Sequence, residues 1–151
     1  MYRSVFNMKH PFDFFDAIFC INLDSHPEGY LRTEKRCRGI GYHGEIKRES
    51  AIKLSRWKNG IYIQQGCNRT FLNIIKKCQL ENYNKILILE DDIKFLKNWI
   101  NEDILSALEF LDNTSWDTVR LGYNLCVDVR EKWEHVHPYL VKFPPLKYPG
   151  S

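Results

Sequence analysis

The chain has 151 residues, the length of one ordinary domain, and its 44% apolar and 14% aromatic content supports a packed core and excludes a disordered chain. Its formal charge is +3, and the basic residues are scattered (Arg32, Lys35, Arg36 and Arg38, then Lys47 and Arg48, then Lys76 and Lys77), a pattern of solvated faces that argues against nucleic acid as a partner. Cys20, Cys37, Cys67, Cys78 and Cys126 are odd in number and form no CxxC pair, which argues against a disulfide framework or a zinc finger.

Residues 1–15 read as an N-terminal extension without a secretory signal, and no apolar run has the length of a membrane span. A soluble, cytoplasmic protein is therefore expected. Ala17–Leu23, "AIFCINL", reads as a strand buried on both faces, hence part of a parallel sheet, and Asp24 ends it. A loop with Pro27 and Gly29 follows, then a charged helix over Tyr30–Cys37. "RGIGYHGEI" holds Gly39, Gly41 and Gly44, not at GxGxxG spacing, and reads as a turn-rich connection.

The spacing of Phe71, Ile74, Ile75 and Cys78 predicts a helix over 68–81 with one apolar face. Cys20, Cys67 and Cys78 are expected on apolar faces, as small core residues. Asn82 to Asn84 end the helix, and Lys85–Leu89 is a second strand. Asn101 caps a further helix along Ile104, Leu105, Leu108 and Leu111, which Asn113, Thr114 and Ser115 break. "WDTVRLGYN" offers a third strand through Val119 and Leu121. A proline-rich, loop-like tail follows Trp133, with "YLVKF" as a fourth strand. Strands alternating with helices indicate an α/β layer fold.

The chemistry concentrates in "KILILEDDIKFL", where a buried strand runs into Glu90, Asp91 and Asp92. Adjacent carboxylates repel one another, so a cation or the solvent must take up the charge. Ligands of open parallel sheets bind at the carboxyl ends of strands. Alternation sends Glu90 and Asp92 roughly to one side and Asp91 to the other. Two hard oxygen donors there suit Mn²⁺ or Mg²⁺ bridging to substrate phosphates. The plain alternative is a cap on a helix that starts near Ile93. The run also resembles the first strand of a two-component receiver domain, but a strand and a helix precede it and too little chain follows. His135 and His137 in "HVHP" form an HxH pair open to zinc, or to a metal site built around Asp92.

Four segments fall in the order of one known family. "IFCINLDSHPEGYLR" resembles the opening of glycosyltransferase family 25, the lipooligosaccharide-biosynthesis and procollagen galactosyltransferases. "QQGCNRTFLNIIKKC" is similar to that family's Gly-Cys helix start, "YNKILILEDDIKFL" to its acidic motif and "WDTVRLGYN" to the strand after it. The resemblance covers about residues 17–124. It implies a GT-A-like, Rossmann-type three-layer α/β domain over residues 16–151, with a mostly parallel sheet and incomplete at the C-terminal end.

It also implies an inverting, metal-dependent hexosyltransferase. The donor would be a UDP-sugar and the acceptor a saccharide or a hydroxylated protein or lipid. Glu90 and Asp92 match the motif that holds Mn²⁺ (or Mg²⁺). Asn22, Leu23, Asp24, Arg32, Gly66 and Asp91 match positions near the donor, and Cys67 accompanies Gly66 at the helix start. Arg36 and Arg69, like Arg32, read as possible phosphate contacts or as ordinary surface charges. The chain departs from the family pattern at Gly29, where arginine is common and Arg32 is a nearby stand-in, and at Thr70-Phe71, where Ser-His is usual. No general base is identified. The alternative is a truncated, catalytically inactive relative that acts as a binding or interaction module.

Overall fold

Ala17–Asn22 forms strand β1, and its apolar run is buried along nearly its whole length. Such a run needs cover on both faces, and it has it. The chain continues as α1 (Pro27–Gly39), β2 (Lys47–Ser50), α2 (Ile61–Glu81) and β3 (Ile86–Glu90). β2 and β3 flank β1, both parallel to it, in the order β2-β1-β3. The computed structural model describes residues 8–54, 61–95, 100, 102–119, 134–138 and 140–142. These belong to two compact units, residues 7–99 and residues 100–151 with 1–6.

Side-chain alternation sorts the core of the first unit into two layers. Ile18, Cys20, Leu87 and Leu89 meet Cys37 of α1, with Phe12 and Ile46 beside them. Ala17 and Phe19 meet Ile74 and Cys78 of α2 on the opposite side. The unit is thus helix, sheet, helix around a small, wholly parallel sheet. The chain leaves β1 through α1 toward β2, then returns through α2 past β1 to β3. The direction of winding therefore changes between β1 and β3, a switch point at whose carboxyl edge open α/β sheets hold their ligands.

Both helices are longer than their apolar periodicity predicts. Pro27 and Gly29, expected in a loop, form the first turn of α1, where proline's fixed φ and missing N–H cost nothing. Gly66 and Cys67, expected at a helix start, lie inside α2. Tertiary packing outweighs glycine's low helix propensity there, because a Cβ on Gly66 would overlap the Ile52 carbonyl. Thr70 fastens the same contact. Its hydroxyl donates to the Gly66 carbonyl (2.9 Å) and accepts the Ile52 N–H (2.9 Å).

The buried stripe of α2 is accordingly Gly66, Thr70, Ile74 and Cys78, each four residues from the next, whereas Cys67 and Ile75 are exposed and Phe71 is half-buried. α1 buries Gly29, Thr33 and Cys37 with the same spacing. Small side chains at every fourth position let each helix lie close against the sheet.

β2 is a strand where a connection was expected. Its sequence, Lys-Arg-Glu-Ser, carries no apolar residue, and pairing with β1 from Phe19↔Lys47 to Asn22↔Ser50 defines it. The N-terminal segment is also more than an extension. Pro11–Phe14 make a 3-10 turn closed by a capping box, in which His10 Nδ1 accepts the Phe12 N–H and Asp13 accepts the His10 N–H. Phe12, 2% exposed, sits in the core on the α1 side. Asp16 ties the amino ends of β1 and β3 by accepting the backbone N–H groups of Asn84 (2.7 Å) and Lys85 (2.9 Å).

In the second unit, α3 (Glu102–Asp112) buries Ala107, Leu108 and Leu111, while Leu105 is exposed and Ile104 half-buried. The residues that break its pattern also cap it. Asn113, Thr114 and Trp116 side chains donate to the last-turn carbonyls of Glu109, Phe110 and Leu111. Asn101 lies outside the described residues. The expected third strand is not formed over 116–119, and its remainder, with Leu121, lies outside the described residues.

β4 (Glu134–His137) replaces the expected loop and pairs antiparallel with β5 (Leu140–Lys142). "YLVKF" thus contributes to a separate two-stranded sheet. The register slips between His135 and His137, so strict alternation is not kept across the HxH pair. Among the described residues no helix is long and apolar enough to cross a membrane.

Candidate functional site

Three chain segments meet at the carboxyl edge of the parallel sheet: the end of β1 with its turn into α1, the end of β2, and the turn after β3. Asn22, the last residue of β1, is 1% exposed and joins all three. Its Nδ2 donates to the Asp91 carboxylate (2.6 Å) and to the His26 carbonyl (2.9 Å). Its Oδ1 accepts from Arg48 Nε (3.0 Å) on β2. Every polar atom of this buried amide is therefore used, as burial demands.

Arg48 Nη2 continues the network to Asp24 Oδ1 (2.7 Å), and the Ser50 hydroxyl donates to the same oxygen (2.8 Å). The Ser50 hydroxyl first, and Arg48 second, hold the Asp24 carboxyl below the usual carboxylate range. Leu23, half-buried, contributes its carbonyl to the turn by accepting the His26 N–H (2.9 Å).

The three acids after β3 separate by role. Asp91 turns to the α1 side and lies against the first turn of α1, so a Cβ on Gly29 would overlap its carboxylate and the Asn22 amide. The positive end of the helix and the Asn22 amide together take up its charge. Glu90 ends β3 and is exposed, as is Asp92. Neither side chain has a hydrogen bond or ion pair with another described residue. The loop beyond them is fixed by Arg36, whose Nη1 donates to the Ile93 carbonyl (2.6 Å).

Among the described residues, the four carboxylates of this edge, Asp24, Glu90, Asp91 and Asp92, outnumber the two guanidinium groups that bond there, Arg48 and Arg36. That balance favours a cation, or an anionic ligand accompanied by one. Two carboxylates without partners among the described residues suit Mg²⁺ or Mn²⁺, which bind through one or two protein oxygens plus substrate phosphates and water. Among the described residues no three His, Cys, Asp or Glu side chains converge on one point, so a metal here would depend on ligands that a substrate brings.

Of the residues expected near a donor, Asn22, Leu23, Asp24 and Asp91 come together here. Arg32 is exposed on α1 and makes no contact with them, and Gly66 packs α2 against residue 52. Arg69 is exposed on α2, and Arg36 serves the loop after β3. Arg48 and Ser50 belong to the network although nothing in their local sequence singles them out. Only the β1–β2 pairing brings them there, and "KRES", polar at all four positions, has no alternation to mark it as a strand.

The two cysteines in the core below the edge are not poised as nucleophiles. Burial pushes the Cys20 and Cys37 thiols up to about 11, so both stay protonated and inert. Comparison of the chain with family models, curated proteins and solved structures returns no match.

Proposed function

We propose that the chain is a metal-dependent glycosyltransferase, or the donor-binding part of one. It takes a hexose, galactose or glucose, from a UDP-sugar and passes it to a saccharide or to a hydroxylated protein or lipid. One observation carries the reading. Two segments that resemble glycosyltransferase family 25, Asn22–Asp24 and Glu90–Asp92, lie 66 or more positions apart in sequence yet are joined by a hydrogen-bonded network at the carboxyl ends of β1 and β3. In this reading the small parallel sheet is the core of a GT-A-like domain.

Glu90 and Asp92 are the residues that would hold Mn²⁺ or Mg²⁺, since Asp91 is engaged by Asn22 and α1. A bound metal would act as a Lewis acid toward the leaving diphosphate. Asn22, Asp24 and Asp91 shape the floor of the site and fix where α1 begins. The departures at Gly29 and Phe71 favour a second reading, a relative that binds the donor without transferring the sugar.

The decisive experiment is a calorimetric titration of UDP into the protein with Mn²⁺, then with EDTA, repeated on Asp92→Ala. The expected result is Mn²⁺-dependent binding that Asp92→Ala abolishes. A folded protein that gives no heat and no thermal shift would sink the donor-site reading. Binding without turnover on any saccharide or hydroxylated acceptor would select the second reading.

A further inference from the structure

An anionic ligand at the carboxyl ends of β1 and β3 needs a cationic partner, and the usual one in α/β folds is the N-terminus of the helix after β1. Here that place is taken. The Asp91 carboxylate lies on the first turn of α1 against Gly29, so a phosphate brought to the same turn would meet a like charge at close range. Arg36 is tied to the Ile93 carbonyl, and Arg32 makes no contact with the network.

Arg48 remains. Its guanidinium uses Nε on Asn22 and one Nη2 proton on Asp24, leaving three of five N–H donors. Its side chain is 33% exposed, so it is held firmly and still open to solvent. A guanidinium already fixed by two hydrogen bonds loses little conformational freedom when it grips a ligand, and its planar fork matches phosphate.

We propose that Arg48 is the anion-gripping, specificity-determining residue of this site, donating from its free N–H groups to a phosphate of a nucleoside diphosphate. The inference rests on the reading of this edge as a UDP-sugar site. Asn22 and Asp24 then act as positioning residues that hold the guanidinium from either end, and Ser50 holds Asp24.

The test compares UDP with uridine, which has the same base and ribose but no phosphate. Both are titrated in Mn²⁺ into the wild-type chain, Arg48→Met and Arg48→Lys, with Mn²⁺ uptake followed separately by electron paramagnetic resonance and folding by thermal melting. Losing a charge-assisted contact should weaken UDP binding about ten- to a hundredfold in Arg48→Met, while uridine binding and Mn²⁺ uptake stay unchanged. Arg48→Lys, which keeps the charge and the stem, should recover part of the loss and serves as the folded variant should Arg48→Met not fold. Equal losses for UDP and uridine would make Arg48 a strut between β1 and β2 and overturn the inference. Unchanged UDP binding in both variants would overturn it while the donor site stands. A wild-type chain that takes up no UDP overturns both.

Discussion

Strand β2 distributes four consecutive polar side chains between two environments, and the contrast separates structure from function. On the α2 side, Glu49 is buried and paired with Lys77, and Lys47 donates to Glu81 (3.2 Å) and to the Tyr83 hydroxyl (2.7 Å). These four groups match one for one, Lys77 with Glu49 and Lys47 with Glu81. On the α1 side, Arg48 and Ser50 join Asn22, Asp24 and Asp91 in one network, while Glu90, whose register partner Ile21 belongs to the other face, and Asp92 after it have no partner among the described residues. A closed set of ion pairs holds a strand in place. A polar network left in surplus charge has capacity for something else.

The largest expected effect lies on the open side, at Gly29. Alanine there would gain about 0.5–1 kcal/mol in helix propensity but would push its Cβ into the Asp91 carboxylate, an overlap costing about 1–3 kcal/mol. The overlap wins, so Gly29→Ala should lower stability in denaturant unfolding. In an Asp91→Ala background the overlap is gone, and the same substitution should turn neutral or stabilising. A Gly29→Ala change that is harmless in the wild-type chain would mean that Asp91 is not seated on α1, and the division of labour among the three acids would fall with it.

How much of this was legible follows from where each signal resides. β1 and β3 announce themselves, because strands buried on both faces need unbroken apolar runs, and "AIFCIN" and "ILILE" are such runs. β2 does not, since an edge strand whose two faces carry charge has no apolar pattern, and only its pairing with β1 makes it a strand. The helices were found, but the face of α2 was legible only in part, at Ile74 and Cys78. Glycine, threonine and cysteine at every fourth position pack closely without looking hydrophobic, which is why Ile75, 44% exposed, was expected inside and Thr33 and Thr70 were not. At the candidate site, Asp24 and the three acids were legible because they follow apolar strands, whereas Asn22 was singled out by the resemblance alone. Arg48 was not, because a residue 26 positions from Asn22 reaches it only through the fold.

A smaller effect is expected on the closed side. Replacing Lys77 by methionine leaves Glu49, whose side chain is 9% exposed, without its cation. Lys77 itself is 54% exposed, so solvent screens the pair and the loss should be about 1 kcal/mol, short of the cost for a fully buried pair. Adding Glu49→Gln to Lys77→Met should recover much of it. High salt should weaken the wild-type pair and leave the double variant indifferent. UDP affinity should not change in either. A drop in UDP affinity in Lys77→Met would erase the distinction between the two sides of β2.

The smallest effect sharpens the contrast from another direction, since the α1 side holds a buried histidine fixed by backbone groups where the α2 side relies on ion pairs. His10 accepts the Phe12 N–H at Nδ1 (3.0 Å), which leaves Nε2–H to donate to the Ile40 carbonyl (3.2 Å). Burial is the main cause that lowers its pKa below 6.5; the Ile40 carbonyl and Asp13 pull the other way, and His43 adds a little in the same direction. A histidine whose folded pKa lies below its unfolded value stabilises the fold fully above the unfolded value and loses that contribution as the pH falls through the folded one. Proton uptake at Nδ1 would also remove the acceptor that caps the Pro11–Phe14 turn. The melting temperature should therefore be flat above about pH 7 and begin to fall below about pH 6.5, before the carboxylates titrate. In His10→Asn, which can still cap the turn, that early fall should vanish. If the variant and the wild-type chain lose stability in parallel across this window, His10 is not the group responsible, and the acid response must be sought in the carboxylates that both sides of the sheet share.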